Sequence, residues 1–259
     1  MAPIWDQDLK QFVGMMTIRD FINATKAYKA HHLSAQDFST KTLNEMLSDS
    51  VYRISFCEFQ SIDAEDTMFQ ACSMLRRLEC DYLPVLDPDE GNLLATIGYF
   101  DVLILIVETA RTYPHLFAGP VANFLRNEGQ EVITTTRDAL IEDVLELLAT
   151  RNVSAVPVVD ENNAVVGLYH RDDVTYLVKA ADQGAAISNL SMTVGDVLST
   201  EVEHASMNVL CTYKRTDTLL QVLHKCAEAR SSRLVCVDDA GRCTGIISVK
   251  DLVGMFLES

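Results

Sequence analysis

Four times along the chain the apolar positions repeat one figure. A short apolar strand leads into an acidic or amide-rich turn, a second apolar strand follows, and an Asp opens a helix. The clearest copy runs from Ser154 to Asp173, with strands Ala155-Val-Pro-Val-Val159 and Val165-Val-Gly-Leu-Tyr169 around the turn Asp160 to Asn163. The figure recurs as Pro3-Ile-Trp-Asp6 to Asp20, Leu83-Pro-Val-Leu-Asp87 to Asp101, and Leu234-Val-Cys-Val-Asp238 to Asp251. From turn Asp to helix Asp the separations are 14, 14, 13 and 13 residues (6 to 20, 87 to 101, 160 to 173, 238 to 251). Copies at near-constant spacing mark a repeat protein, which settles the architecture before single elements are considered.

Upstream of three copies the period changes from two to 3.6. Met68, Ala71, Cys72 and Leu75 precede copy two; Leu140, Val144, Leu147 and Leu148 precede copy three; Leu219, Val222, Leu223 and Cys226 precede copy four. Apolar residues at i, i+3, i+4 and i+7 predict amphipathic helices, with Asp66, Asp138 and Asp217 as their expected N-caps. The full unit is therefore strand–helix–strand–strand–helix, an α/β class. Copy one shows only the second half and reads as truncated. The repeats span 1–30, 51–110, 128–182 and 193–259. One such unit cannot bury both faces of its helices, so copies are expected to pair, one with two and three with four. The linkers carry the helical segments around Leu43 to Leu47 and Val121 to Leu125, and a turn at Gly184.

Composition narrows the function. A net charge of −16 with no offsetting basic run argues against nucleic acid or an anionic membrane as partner. The apolar run Val102 to Val107 is too short to span a bilayer. Seven cysteines without a Cys-x-x-Cys pair fit reduced thiols in cytosol or nucleus, serving mostly as core filler. No nucleophile–base set, glycine-rich phosphate loop or metal-ligand cluster appears, which points away from an enzyme.

The recurrent chemistry lies at the helix starts. Asp20, Asp101, Asp173 and Asp251 each stand where a strand becomes a helix. A carboxylate there can accept from both hydroxyls of a ribose, and the helix N-terminus favours a nearby anion. An ordinary helix cap would recur in the same way, so the pattern alone leaves both readings open. Three residues earlier stand Thr17, Gly98, His170 and Ser248, of which all but the glycine can reach a phosphate or sugar. Arg19, Arg171 and Lys250 lie beside the Asp positions.

The repeat resembles the cystathionine-β-synthase-type, or CBS, module. Within it, the chain is most similar to the gamma regulatory subunits of AMP-activated protein kinase and their fungal relatives. The resemblance rests on Ala2-Pro-Ile-Trp-Asp6 with Phe12-Val-Gly-Met-Met-Thr-Ile-Arg-Asp-Phe-Ile22, on Val153-Ser-Ala-Val-Pro-Val-Val-Asp160, and on Gly245-Ile-Ile-Ser-Val-Lys-Asp-Leu252. It implies two CBS pairs forming a disk, a non-catalytic role, and assembly with kinase alpha and beta subunits. It also implies AMP, ADP and ATP as regulatory ligands rather than required cofactors. The matching Asp residues would then hold ribose, Asp173 and Asp251 foremost, with Ser154, Ser248 and Arg233 towards the nucleotide. The phosphate end departs from that family. Asp81-Tyr82 stands where a His-Arg pair is expected, Phe100 replaces a Lys, Ser232-Arg233 keeps half of a second pair, and Glu203 replaces an Arg. Two rival readings remain: a CBS protein that binds adenosyl ligands and regulates a different enzyme or transporter, and an adaptor that has lost nucleotide binding.

Overall fold

The computed structural model describes residues 2–30, 40–48, 58–125, 132–174, 191–203 and 210–257. Gly184 and the helix expected beyond Val174 lie outside the described residues. In chain order the elements are β1 (Ala2–Asp6), β2 (Gln11–Met16), α1 (Ile18–Ala30), α2 (Leu43–Ser48), β3 (Ile62–Asp63), α3 (Met68–Arg77), β4 (Tyr82–Leu86), β5 (Leu93–Gly98) and α4 (Tyr99–Thr112). The second half holds α5 (Ile141–Thr150), β6 (Ala155–Val159), β7 (Val165–His170), α6 (Val194–Glu203), β8 (Thr212–Tyr213), α7 (Leu219–Ala229), β9 (Arg233–Val237), β10 (Cys243–Ser248) and α8 (Val249–Leu257). Short 3-10 turns occupy Pro114–Phe117, Val121–Asn123 and Arg171–Asp173.

Each repeat is closed by local hydrogen bonds. The turn Asp of every hairpin accepts two backbone N–H bonds on Oδ1: Asp6 from Asp8 and Leu9, Asp87 from Asp89 and Glu90, Asp160 from Asn162 and Ala164, Asp238 from Ala240 and Arg242, all at 2.8–3.0 Å. Such Asx turns are why Asp punctuates the strands. Each hairpin then passes one residue through the left-handed region: Lys10, Gly91, Asn163 and Gly241. That residue lies four positions after the Asp in copies one and two and three after it in copies three and four, which accounts for the 14, 14, 13, 13 spacing. The helices before the hairpins end alike. Glu79, Asn152 and Arg230 adopt φ of 47–52°, and Cys80, Val153 and Ser231 N–H donate back to the carbonyls of Leu75, Leu148 and Cys226. This is a Schellman closure made without glycine.

The helix starts correct the expected caps. Thr67 and Thr218, not Asp66 and Asp217, cap α3 and α7, each in a reciprocal capping box with Gln70 or Gln221. Asp66 instead accepts from Asp63 N–H and Gln70 Nε2, and Asp217 from Lys214 N–H and Lys225 Nζ. The N-cap of α5 is Leu140, whose side chain makes no capping bond, so Asp138 is not the cap there either. A threonine one residue nearer the helix has the shorter reach to the N3 amide, which leaves the Asp to brace the turn before it.

The chain forms two compact units. Unit 1 takes in residues 1–61, 139–154 and 170–193, and therefore β1, β2, α1, α2 and α5. Unit 2 takes in 62–138, 155–169 and 194–259. Within unit 2, α4 packs against α7 and α8, burying Leu75, Leu103, Val107, Leu219, Leu223, Leu234 and Leu252 in one core. The helix faces of copy two thus find their partner in copy four. The expected pairing of three with four appears through the strands: Ala155, Val159 and Leu168 meet Val235 and Cys243, and Val165 N–H and Cys243 N–H bond across the hairpin tips to Gly241 and Asn163 carbonyls.

Candidate functional site

The four helix-opening Asp residues do one thing in common. Each turns Oδ2 back to accept the backbone N–H three residues earlier: Asp20 from Thr17 at 2.8 Å, Asp101 from Gly98 at 2.8 Å, Asp173 from His170 at 2.6 Å and Asp251 from Ser248 at 2.8 Å. They are therefore the acidic, third-position partners of capping boxes, and the N-caps are Thr17, Gly98, His170 and Ser248. In copies one and four the box is strengthened by a hydroxyl. Thr17 Oγ1 donates to Asp20 Oδ2 at 2.7 Å and Ser248 Oγ to Asp251 Oδ2 at 2.5 Å. In copy three His170 Nδ1 lies 3.8 Å from Asp173 Oδ2. All these bonds converge on Oδ2. A carboxylate has a second oxygen beyond the one its box engages, which is what a ribose diol would need.

Burial sorts the four into two kinds. Asp20 and Asp173, both in unit 1, are 6% and 2% exposed. Asp101 and Asp251, both in unit 2, stand open to solvent. Copy two is also built differently at the cap. A Cβ on Gly98 would sit 2.7–2.9 Å from the Tyr82 ring and the Asp81 carbonyl, so Tyr82 occupies the space that a cap hydroxyl has elsewhere.

The remaining expected residues divide between the units. Arg19 reaches across unit 1, its Nη2 donating to Asn152 Oδ1 at 3.4 Å and so tying copy one to the end of α5. Ser154 offers its carbonyl to Arg171 N–H at 2.8 Å, and Ser232 does the same for Val249 N–H at 3.0 Å in copy four. That shared bond joins the first strand of each hairpin to the helix start, a role sequence reading did not anticipate. In unit 2 the Arg233 guanidinium folds back onto the Ser232 carbonyl at 2.7 Å, one residue from the Asp251 box in space as Ser248 pairs with Arg233 across β9 and β10. Lys250 places its ammonium 5.9 Å from the centre of the Tyr99 ring, a cation–π contact between the starts of α8 and α4. Burial, with Cys80 and Asp81 nearby, pushes the Tyr99 phenol up to about 12. Copies two and four thus bring Asp101, Asp251, Ser248, Arg233 and Lys250 to the helix starts of one unit.

Four of the described thiols are poor candidates for a nucleophile. Burial pushes Cys226 up to about 12 and raises Cys72, Cys211 and Cys243, whereas catalytic thiols are lowered. Among the described residues no three His, Cys, Asp or Glu side chains gather as a metal site, and no helix is long and apolar enough to cross a membrane.

Comparison with known proteins agrees with this geometry. The family model described as CBS domain matches residues 51–108, 129–180 and 194–258, more than half of the chain. The 5'-AMP-activated protein kinase subunit gamma of Dictyostelium discoideum is 30% identical over 99% of this chain and 45% of its own length. Subunit gamma-3 of Homo sapiens is 31% identical over 97% of this chain and 51% of its own, and the gamma subunit of Saccharomyces cerevisiae is 24% identical over 99% and 79%. The chain spans about half the length of the first two relatives. Among solved structures, a Methanocaldococcus jannaschii protein described as a candidate archaeal homologue of gamma-AMPK superposes with a TM-score of 0.74 at 16% identity, over 98% of this chain and 87% of that one. Repeated strand–helix–strand–strand–helix units, an Asp-anchored capping box at each hairpin's exit and the matched segments have one reading: the chain belongs to the CBS domain family.

Proposed function

We propose that the chain is a non-catalytic, gamma-type regulatory subunit of a heterotrimeric protein kinase of the AMP-activated kind. It assembles with alpha catalytic and beta scaffold subunits in cytosol or nucleus and senses energy state by binding AMP, ADP or ATP. The observation that carries this reading is the shared design of the four Asp residues, each held at a helix start by Oδ2 in the same box. Similarity to gamma subunits over 97–99% of the chain supports the kinase partners. Asp251 is the leading ribose ligand, because it is open and has Ser248, Lys250 and Arg233 at the same helix start, the groups this reading assigns to the phosphates. Asp101 is the second. Asp173 and Asp20, with Ser154, Thr17, His170, Arg171 and Arg19 around them, form the corresponding constellation in unit 1 and are reached only through their more buried surroundings.

Co-expression with kinase alpha and beta subunits, followed by calorimetric titration of the purified complex with AMP, ADP and ATP, tests both halves separately. A stable trimer that binds nucleotide is expected. A chain that binds nucleotide but never joins the kinase belongs to the regulator of another enzyme or transporter. A trimer without nucleotide affinity makes it a structural adaptor.

A further inference from the structure

Inside unit 2, α4 packs against α8, and the starts of these two helices are built as opposites. Between the cap and the box Asp, copy two carries Tyr99-Phe100 and copy four carries Val249-Lys250. Aromatic rings in one copy stand where the other has an aliphatic group and a cation. Tyr99 and Val249 are 6% and 3% exposed and share one core with Leu252 and Val253, so packing fixes the Tyr99 ring in place. The Lys250 ammonium lies 5.9 Å from the centre of that ring. The Tyr99 hydroxyl takes no part in holding it, since Oη is buried and has no hydrogen-bond partner among the described residues.

Four other cations of copy four are held differently. Lys214 Nζ donates to Asp239 at 2.7 Å, Lys225 Nζ to Asp217 at 2.7 Å, Arg242 Nε to Asp238 at 2.8 Å, and Arg233 Nη1 to the Ser232 carbonyl at 2.7 Å. Each of them commits an N–H to an oxygen. Lys250 makes no hydrogen bond or ion pair among the described residues, and its one contact of charge is the ring face. A ring face attracts a cation through its quadrupole and offers no oxygen acceptor, so the three ammonium protons stay available.

We propose that Tyr99 of copy two is a positioning residue for copy four, its ring holding the Lys250 ammonium at the start of α8 with its protons available to the phosphate of a nucleotide bound at Asp251. The inference rests on the reading of Asp251 as a ribose ligand. It makes copy two a part of phosphate recognition in copy four. A lysine stem already held over a rigid ring has less rotamer freedom to lose when it meets a ligand. The effect is specific to charge, because adenosine presents no phosphate to the ammonium. Tyr99 therefore favours nucleotide over nucleoside without touching either.

The probes are AMP and adenosine, titrated by calorimetry into the full chain, and the component read is the one that Asp251→Ala removes. Lys250→Met should weaken AMP about tenfold and leave adenosine within about twofold. Tyr99→Phe keeps the ring and should leave both affinities unchanged. Replacing Tyr99 by pentafluorophenylalanine keeps the shape of the ring and reverses its charge distribution. That variant should weaken AMP about two- to fivefold, the loss of one exposed cation–π contact, with adenosine again unchanged. Added to Lys250→Met it should cause no further loss, because the ring acts only through the ammonium. Unchanged AMP affinity in the pentafluoro variant would overturn the proposal, and so would an equal loss for AMP and adenosine, which would make Tyr99 a packing residue. Tighter AMP binding there would overturn it too, by showing that the ring draws the ammonium away from phosphate. If the unaltered chain binds neither AMP nor adenosine, the ribose reading itself falls and takes this inference with it, so the two failures are told apart.

Discussion

Ser248 and Asp251 hold each other across the start of α8: the serine hydroxyl donates to Asp251 Oδ2 at 2.5 Å, and Asp251 N–H donates back to Ser248 Oγ at 3.1 Å. This reciprocity separates two effects that a single Asp substitution would mix. Ser248→Ala removes half of the box and should cost about 1 kcal/mol in a urea melt. Asp251→Ala removes the box and the ribose acceptor together. It should cost a similar amount of stability and in addition about 1.5–3 kcal/mol of nucleotide binding by calorimetry. Equal nucleotide affinity in wild type and Asp251→Ala would reduce Asp251 to a cap.

Burial reverses the order for copy three. Asp173→Ala removes a carboxylate that is 2% exposed and leaves the His170 N–H without its acceptor. Losing a buried acceptor of this kind costs about 1–3 kcal/mol. Asp173→Ala should therefore lower the thermal midpoint more than Asp101→Ala, whose exposed carboxylate takes only the Gly98 N–H among the described residues. Differential scanning calorimetry of the two variants decides it.

In copy two the Tyr82 ring and the Asp81 carbonyl stand against Gly98, and on the proposed reading Asp81-Tyr82 lies at the phosphate end. Phosphate recognition depends on charge-assisted bonds, and a nearby like charge opposes it. AMP should therefore bind at least as well as ATP. The double change Asp81→His with Tyr82→Arg should strengthen ATP binding and steepen its salt dependence. Tight ATP binding by the unaltered chain at physiological salt would overturn this expectation.

Arg230 and Glu79 are exposed and hold φ of 47° and 51° at helix ends where glycine is favoured. Arg230→Gly and Glu79→Gly should each raise stability, by about 0.5–1 kcal/mol, since the left-handed region costs a side chain more than it costs glycine. Asn152→Gly should gain less. Asparagine tolerates that region, and its Oδ1 is the acceptor for Arg19.

Although burial pushes the Asp217 carboxyl up, the Lys225 ammonium at 2.7 Å and the Lys214 N–H more than offset it and hold it below the usual carboxylate range. A lowered folded-state value means that the stabilisation is complete above the unfolded value, near 3.9, and fades as pH falls through the folded one. Urea melts at pH 3–5 should therefore lose less stability with acid in Asp217→Asn than in the wild type. The difference should stay below about 1 kcal/mol, because the pair is partly exposed.

The hairpins and amphipathic helices were legible because their information is local: period-two strands, Asp before the turn, and Ala71, Cys72 and Leu75 on one face of α3. Two helix caps lie one residue beyond the expected Asp, although Thr67-x-x-Gln70 and Thr218-x-x-Gln221 carry the capping-box spacing. Asp and Thr stand side by side there, and only the register of the first turn decides which one reaches the N3 amide. The helix partner of copy two could not be read from the pattern, since α4 meets α7 and α8 across more than a hundred residues of chain. Gly98 was recognisable as the odd member of the four cap positions. Its cause, the Tyr82 ring, is a tertiary contact.

The hairpins also make the repeat tolerant of insertion. One extra residue is accommodated in the turns of copies one and two without disturbing the box at the far end of the second strand, because the Asx bonds close the loop where it leaves the sheet. Length change is absorbed at the tip, and the strand delivers its carboxylate to the same place. A tetracysteine tag or a short fluorescent reporter placed after Asp89 should therefore ride outside the fold, giving a label about a strand's length away from Asp101 that leaves that carboxylate in position.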